Sequence, residues 1–251
     1  MKKFLGTMLL ALTCQLLFSQ TQQKDSVQLP PLEVRAIRAS ERAPFAKQNL
    51  SKADIQKNNL GPDLPFLLNQ TPSVVVQSDA GNGIGYTGIR IRGTDATRIN
   101  VTINGIAYND AESMGTFLVN LPDFASSVSS IQIQRGVGSS SNGPSAFGAS
   151  INLSTHELNE KAYFSTSNSA GSFGTIKNTI QFGSGLIHKY FTVDARISSI
   201  KSDGYIDRAS SDLRSYYVSG AYIKVKQAFA SLLFQEKKKH TRHGMAYLTV
   251  T

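Results

Sequence analysis

The segment IQIQRGVGSSSNGPSAFGASINLST, residues 131–155, predicts two short strands joined by a glycine-rich loop. Isoleucine alternates with glutamine over 131–134, and apolar residues alternate with polar ones again over 151–154. A period of two residues is typical of a strand with one buried face. Four glycines and a proline separate the two strands. Because glycine lets backbone approach backbone, we expect a compact element packed inside a larger structure.

An earlier segment has the same design. Residues 89–92 alternate apolar and polar side chains, as do 99–103, and the pair Asn104-Gly105 that follows is a strong hairpin signal. Four short motifs follow one another in the chain, namely Arg-Gly-Thr, Thr-Ile-Asn-Gly-Ile, Ile-Gln-Ile-Gln-Arg-Gly and Ala-Phe-Gly-Ala-Ser-Ile-Asn. In this order and spacing, over roughly 32–155, they resemble the plug domain of TonB-dependent outer-membrane receptors. The resemblance implies a small α+β plug domain at 41–156.

Two short helices fit such a domain. Ser51 is a candidate N-cap for the first helix, and Asp63 is a candidate N-cap for the second. Val74-Val75-Val76 then predicts a short buried strand. Short helices mixed with strands in a segment of this size indicate an α+β domain.

The N-terminus predicts export. Residues 1–19 have a positive start and a short apolar run, which is typical of a secretory signal peptide. Residues 20–40 are polar and predicted to be disordered, except for a proline-led extended segment at 29–36. Cys14 is the single cysteine and lies in the predicted signal peptide, so disulfides, thiol catalysis and cysteine-based metal sites are not expected.

The segment 29–36 has two interpretations. An extended strand near a mobile end can pair with the sheet edge of another protein, or it can be an ordinary linker. The resemblance implies the first interpretation, a TonB box gripped by a TonB-type energy-coupling protein of the inner membrane. Its candidate residues are Leu32, Glu33, Val34, Arg35 and Ala36.

The resemblance also implies roles for residues in the plug. The arginines at the family's positions facing barrel-wall carboxylates, expected to hold the plug in place, are Arg90, Arg92 and Arg135. Three loops, at 79–87, 94–97 and 108–117, are expected to contact the ligand. Their candidate contact residues are Tyr86, Asp95, Tyr108 and Glu112.

Other functions are less well supported by the residues. Gly83, Gly85 and Gly88 match G-x-G-x-x-G, but an alternating Ile-Arg-Ile-Arg strand follows where a dinucleotide site needs a helix. Asp110 and Glu112 have no evident catalytic partner, so no catalytic residue is assigned. The formal charge of +9 comes without a basic stripe, which disfavours nucleic acid and suits a surface near anionic lipid. No metal site and no cofactor are predicted.

Residues 157–236 predict the first strands of a transmembrane β-barrel. Strand-length segments occur at 163–169, 175–185, 190–201, 215–225 and 227–235. In the third, Phe191, Val193, Ala195 and Ile197 alternate with polar residues, as expected of strands with one lipid face. A short connection at 186–189 and a long one at 202–214 are typical of periplasmic turns and external loops. A soluble β-sandwich remains the alternative.

Together these features predict a receptor of the cell outer membrane that takes up a scarce nutrient, and this chain is expected to be a truncated, non-transporting version of it with an incomplete barrel. A ferric siderophore or other iron complex is the expected ligand. Cobalamin or glycan import, or a soluble periplasmic binding module, are alternatives. Residues 237–251 lose the strand pattern after Lys237-Lys238-Lys239, and we expect them to be an aberrant tail produced by a frameshift.

Overall fold

A computed structural model describes residues 38–240 except 41, 139–141, 144–145, 156–158, 189 and 225–226, with only the backbone described over 223–240. Its strands form a five-stranded sheet, a two-stranded sheet and a second five-stranded sheet. The first two belong to the predicted plug domain, and the third contains the predicted barrel strands. The candidate TonB box at 32–36 lies outside the described residues.

The plug sheet is built from both segments that the sequence singled out. Its strands are β1 (Lys47–Ser51), β4 (Ile99–Ile103), β5 (Ile106–Ala107), β6 (Ser130–Arg135) and β7 (Ala149–Ser154), in the spatial order β1-β6-β7-β4-β5. β4 and β7 are parallel, and the other pairs are antiparallel. The predicted hairpin is present, because Asn104 (φ 53°) and Gly105 (φ 86°) join β4 to β5.

Two helices follow β1 as predicted, with different capping. Helix α1 (Lys52–Asn58) has a full capping box, in which Ser51 and Asp54 exchange side-chain and backbone hydrogen bonds. Helix α2 (Leu64–Leu67) begins at Asp63, but this side chain makes no capping hydrogen bond. Asp63 therefore occupies the predicted N-cap position without a capping hydrogen bond. Its carboxylate accepts instead from the Gly85 amide at 2.9 Å, which fixes a second glycine-rich loop, 79–86. This loop is the one called the glycine-rich loop below.

That glycine-rich loop joins β2 (Val74–Ser78) to β3 (Thr87–Ile91), which pair as an antiparallel hairpin. A strand therefore follows Gly83, Gly85 and Gly88, as the sequence predicts. No helix N-terminus is available there for a pyrophosphate.

The plug core lies under the five-stranded sheet. Its isoleucines are almost fully buried, and side chains from the helices and from the 3₁₀ turns Leu118–Asn120 and Phe124–Ser127 complete it. Residues at most 2 % exposed include Ile55, Leu68, Ile91, Ile99, Val101, Phe124, Val128, Ile131, Ile133, Ile151 and Leu153. The alternating positions that predicted the strands supply much of this core.

The second five-stranded sheet is an antiparallel meander that does not close on itself within the described residues. Its strands are β8 (Tyr163–Ala170), β9 (Ile176–Gly183), β10 (Phe191–Ser202), β11 (Ser211–Lys224) and β12 (Gln227–His240). Each strand pairs with the next in sequence. Plug plus incomplete barrel is the fold class that the sequence predicts.

The connections and the last strand differ from prediction. β11 begins at Ser211 because its pairing with β10 extends to Ser202, so the connection 203–210 is only one residue longer than 184–190. The predicted contrast between a short and a long connection was therefore wrong. β12 continues to His240, past the predicted boundary at 236, because Lys237–Lys239 pair with β11. Residues 241–251 lie outside the described residues.

Candidate functional site: the interface between plug and barrel strands

The plug meets the barrel strands at a buried carboxylate, Asp123. It lies between Pro122 and the 3₁₀ turn Phe124–Ser127 and has φ 51° and ψ 24°. Aspartate is one of the few non-glycine residues that tolerate this left-handed conformation. The Asp123 side chain makes no capping hydrogen bond to the backbone of its turn and contacts the facing strands.

Two cations from the barrel strands bind this carboxylate. The Lys177 ammonium on β9 is 2.6 Å from Oδ1, and the Arg196 guanidinium on β10 is 3.1 Å from Oδ2. All three side chains are at most 3 % exposed. Arg196 also donates to the Asp123 carbonyl oxygen at 2.5 Å. One plug residue thus binds two adjacent barrel strands.

Neutral side chains add hydrogen bonds to Asp123 and Lys177, whereas the buried Nε of Arg196 has no hydrogen-bond partner among the described residues. Thr179 and Ser198, the next inward residues of β9 and β10, donate hydroxyls to Asp123 Oδ2. The Ser126 hydroxyl donates to Oδ1, and Asn59 accepts from Lys177 at 2.8 Å. These residues, with Asp123, Lys177 and Arg196, are called the Asp123 anchor below. Since buried ions are tolerated only when paired and hydrogen-bonded, their partners explain how they are buried.

Electrostatics keep Asp123 ionised. Burial alone would raise its pKa, but the charges of Arg196 and Lys177 oppose that effect, with hydrogen bonds from Lys177 and Ser126 adding to them. The net result is a pKa well below the usual value of 3.8. Asp123 therefore stays ionised throughout the neutral and mildly acidic range.

The barrel strands present their polar side to the plug. Along β10, Thr192, Arg196 and Ser198 are buried, whereas Phe191, Val193 and Ile197 are exposed. The neighbouring strands follow the same rule. Their exposed apolar residues are Phe164, Ile176, Ile180, Phe182, Tyr216 and Val218. This confirms the alternation predicted from sequence, with the apolar face outside and the polar face against the plug.

The three arginines predicted to hold the plug are not part of this interface. Arg90 and Arg92 are exposed, and Arg135 donates to the Pro72 carbonyl at 3.1 Å, within the plug. In the described part of the chain none of them forms a salt bridge with a carboxylate. The anchor that the described strands provide has the opposite polarity, because the plug supplies the carboxylate and the barrel supplies the cations. The role predicted for the arginines therefore stays a prediction.

The predicted ligand-contact residues lie in two regions. Asp95 is exposed and caps a 3₁₀ turn, accepting from Thr97, and that hydrogen bond lowers its pKa. Glu112 is exposed in a loop whose Asn109 side chain bonds the Ile99 carbonyl at 2.9 Å. Loops 94–97 and 108–117 thus meet at the start of β4.

The other two candidates differ in exposure. Tyr108 packs on the plug core, and burial raises the pKa of its phenol to about 12. It is therefore a half-buried support for its loop. Tyr86 is 47 % exposed in the glycine-rich loop.

The glycine-rich loop is bonded to the barrel connection 203–210. The Tyr205 amide donates to the Ala80 carbonyl at 2.9 Å, and Asn82 donates to Ser202 at 2.6 Å. The Tyr205 ring lies on Gly81, where a Cβ would come within 3.0 Å of it. The glycine-rich loop 79–86, which includes Tyr86, and the connection 203–210 therefore form one exposed surface.

A small polar cavity lies beside the Asp123 anchor, between plug and strands. It has a volume of about 40 Å³, and its lining includes Ser127, Thr155, Gln181, Asp194, Arg196 and Tyr217. Sites for small-molecule ligands are typically several hundred Å³. This cavity belongs to the packing of the interface and is too small for a ligand of siderophore size.

The described residues contain no group of three His, Cys, Asp or Glu side chains that could hold a metal ion. Over the same residues, no helix combines the length and apolarity needed to cross a membrane.

Comparison with known families agrees with this architecture. The family model described as TonB-dependent receptor plug domain matches residues 39–150. The chain contains a TonB-dependent receptor plug domain. The match ends within β7, and the strands that follow the plug domain are the ones that bind it through Lys177 and Arg196. No match was found among curated proteins.

Solved structures share the fold of plug and strands. The ferric yersiniabactin uptake receptor FyuA from Yersinia pestis aligns with a TM-score of 0.60 at 12 % identity, over 76 % of this chain and 31 % of that one. The ferric-catecholate import receptor Fiu from E. coli K12 gives 0.60 at 18 %, over 77 % and 27 %. The copper transporter OprC gives 0.63 at 14 %, over 80 % and 33 %. The chain spans about a third of the length of these proteins.

Sequence reasoning missed the Asp123 anchor. Part of its signal was present, since Arg196 lies on the predicted polar face of β10 and a buried cation needs a counter-charge. The partner could not be found from the pattern, because Asp123 lies in a short turn whose position depends on the packing of the whole plug.

Proposed function

We propose that this chain forms the plug and first membrane strands of an outer-membrane receptor that imports a scarce nutrient. Import would be driven by a TonB-type protein of the inner membrane that pulls on residues 29–36 from the periplasm. The observation that carries the proposal is the interface itself. A folded domain binds the polar side of a strand meander whose opposite side is apolar.

The exposed face of the meander favours a membrane over water. Large apolar side chains recur along β9, β10 and β11 on the side away from the plug. A soluble β-sandwich would bury such a face, whereas a transmembrane strand turns it to lipid. Tyr190, Phe191 and Tyr222 cluster at one end of the strands, with the Phe191 and Tyr222 ring centroids 4.8 Å apart. Aromatic side chains at strand ends are typical of the membrane interface. These features support the membrane receptor over the soluble binding module.

The Asp123 anchor supports a plug that is held firmly until it is pulled. Its ion pairs are buried and contact two strands, so they resist thermal displacement of the plug. They are also few and localised, so a directed force can break them together. A plug of this kind would keep a barrel closed at rest.

The ligand class is part of the proposal. We favour a ferric siderophore or another iron complex, taken up first at the surface formed by the glycine-rich loop and loops 94–97 and 108–117. FyuA and Fiu, which share the fold, are described as iron-complex receptors, and OprC as a copper transporter. The fold is equally compatible with cobalamin or glycan uptake by the same mechanism.

Two experiments test the proposal. Fractionation of cells that express the chain should place it with outer membranes. A strain lacking the gene for a full-length receptor with this plug should then lose growth on one of a panel of single iron or vitamin sources. Recovery of the protein in the soluble periplasm would refute the membrane receptor. Unchanged growth on every iron source would refute the iron assignment alone.

A further inference from the structure

The chain ahead of β1 is fastened to the centre of the plug sheet. The Arg38 guanidinium donates to the Ser130 hydroxyl at 2.9 Å, the Ser130 carbonyl at 3.0 Å and the Asn152 carbonyl at 3.1 Å. Ser130 begins β6, and Asn152 lies on β7. One side chain therefore bridges the two central strands through their backbone. The planar fork of arginine makes this possible, since its donors are fixed in geometry.

A second residue completes the attachment. The Gln132 side chain accepts from the Ala39 amide at 2.7 Å and donates to the Ala39 carbonyl at 3.1 Å. Gln132 is 3 % exposed and also donates to Asn49 on β1 at 2.9 Å. Arg38 and Gln132 with these partners are called the Arg38 clamp below.

The clamp changes which residue of the plug sheet carries a pull on the N-terminus first. β1 is an edge strand, and its pairing with β6 runs from Lys47 opposite Gln134 to Ser51 opposite Ser130. Without the clamp, a pull from upstream would enter β1 at Lys47 and open its bonds one pair at a time. With the clamp, the pull reaches Ser130 first. Ser130 is paired with Ser51, and this is the pair that would otherwise open last. Residues 39–51 then form a closed loop that carries no tension.

From Ser130 the barrel anchor is only a few residues away. The Ser126 carbonyl accepts from Gln181 on β9 at 2.5 Å, and the Ser126 hydroxyl binds Asp123. The direct path from clamp to barrel thus runs through residues 123–130. It crosses neither β1 nor the loops that carry the predicted ligand contacts.

We propose that Arg38 is the residue through which a pull on the N-terminus reaches the Asp123 anchor before it acts on β1. This proposal rests on the proposed function for its biological meaning, because only an energy-coupled receptor is pulled at this end. Arg38 is a positioning residue, since it acts through Ser130 and Asn152. Its physical role can be measured without a partner, a ligand or transport.

The test uses single-molecule pulling on the full chain in detergent micelles. Cys14→Ser removes the native thiol, and Val34→Cys and Asp207→Cys supply two attachment points. The compared variants are Arg38→Ala, Arg38→Lys and, as control, Arg42→Ala, which removes an exposed arginine of the same segment. Freeing residues 39–51 lengthens the chain by on the order of 40 Å.

In Arg38→Ala the release of residues 39–51 should appear as a separate first unfolding event, at lower force than any event of the parent chain. Arg38→Lys should behave likewise, because one ammonium cannot reproduce a fork across two strands. The Arg42→Ala control should match the parent. The same first event in the parent chain and both Arg38 variants would overturn the proposal.

Hydrogen exchange of the full chain provides the second readout. Amides of β1 should exchange at least about tenfold faster in Arg38→Ala, given the usual strength of hydrogen bonds from charged donors. Amides of β6 and β9 should keep their protection, which verifies that the variant is folded. Unchanged β1 exchange with a folded core would also overturn the proposal. Failure of the fractionation or growth tests would refute the proposed function and leave these force and exchange results standing.

Discussion

Replacing Asp123 by asparagine should free the plug from the barrel strands. The substitution keeps the shape but removes the only charge between Lys177 and Arg196 in the Asp123 anchor. Two cations that are at most 3 % exposed would then face each other without a counter-ion. Removing one partner of a buried ion pair typically costs about 3–5 kcal/mol. Since about 1.4 kcal/mol is a factor of ten, the undocked population should rise by two to nearly four decades.

Hydrogen exchange of the full chain in detergent measures this effect. Peptides covering residues 118–130 and β9 should exchange faster in Asp123→Asn by a similar factor, up to the limit set by global unfolding. Asp207→Asn, an exposed aspartate in a barrel connection, is the matched control and should behave as the parent chain. The double variant Asp123→Asn/Lys177→Met should be less damaged than the sum of the single effects, because the two residues share one network. Parental exchange in Asp123→Asn would refute the reasoning.

Because Asp123 has a depressed pKa in the folded protein, its stabilisation should be complete above the unfolded value near 3.8 and should be lost progressively as the pH falls from there toward the folded pKa. The protection factor of the β9 amides, which compares the observed exchange rate with the intrinsic rate at the same pH, should be constant from pH 8 to 5 and fall below about pH 4, and Asp123→Asn should remove this dependence. Val34→Pro should abolish capture of the chain by a purified TonB-type protein, because proline removes a backbone donor from an added strand, whereas Arg42→Ala should not; normal capture by Val34→Pro would place the binding segment elsewhere. In a full-length version of the receptor, alanine at the four predicted contact positions should weaken binding of a ferric siderophore by at least about tenfold and leave β9 exchange unchanged. The positions are Tyr86, Asp95, Tyr108 and Glu112, and equal affinity would remove them from the ligand site.

Features that depend on residues close together in the sequence could be predicted, whereas features that depend on contacts between distant residues could not. Strands such as β6, β7 and β10 were predictable because alternation is local and records which face is buried. The Ser51 capping box was predictable for the same reason, since its bonds join residues three positions apart. The start of β11 was not, because pairing with β10 fixes it.

The site was harder to predict than the fold. Aspartate is a residue type that commonly caps helices, yet the Asp63 side chain accepts a hydrogen bond from the Gly85 amide in a distant loop. The Asp123 anchor joins residues more than fifty positions apart, and no local pattern records such a contact. Arg90, Arg92 and Arg135 were assigned from resemblance, and within the described part of the chain no barrel-strand carboxylate forms a salt bridge with them, so their predicted role is untested.

The central claim is that β10 separates the plug from lipid, with even positions turned inward and odd positions outward. Single cysteines at 191–198 in the Cys14→Ser chain, each carrying an environment-sensitive fluorophore in lipid vesicles, test it most directly. Labels at Phe191, Val193 and Ile197 should be quenched by brominated lipid, whereas labels at Thr192 and Ser198 should not. Quenching without this alternation, or no quenching at any position, would contradict the account.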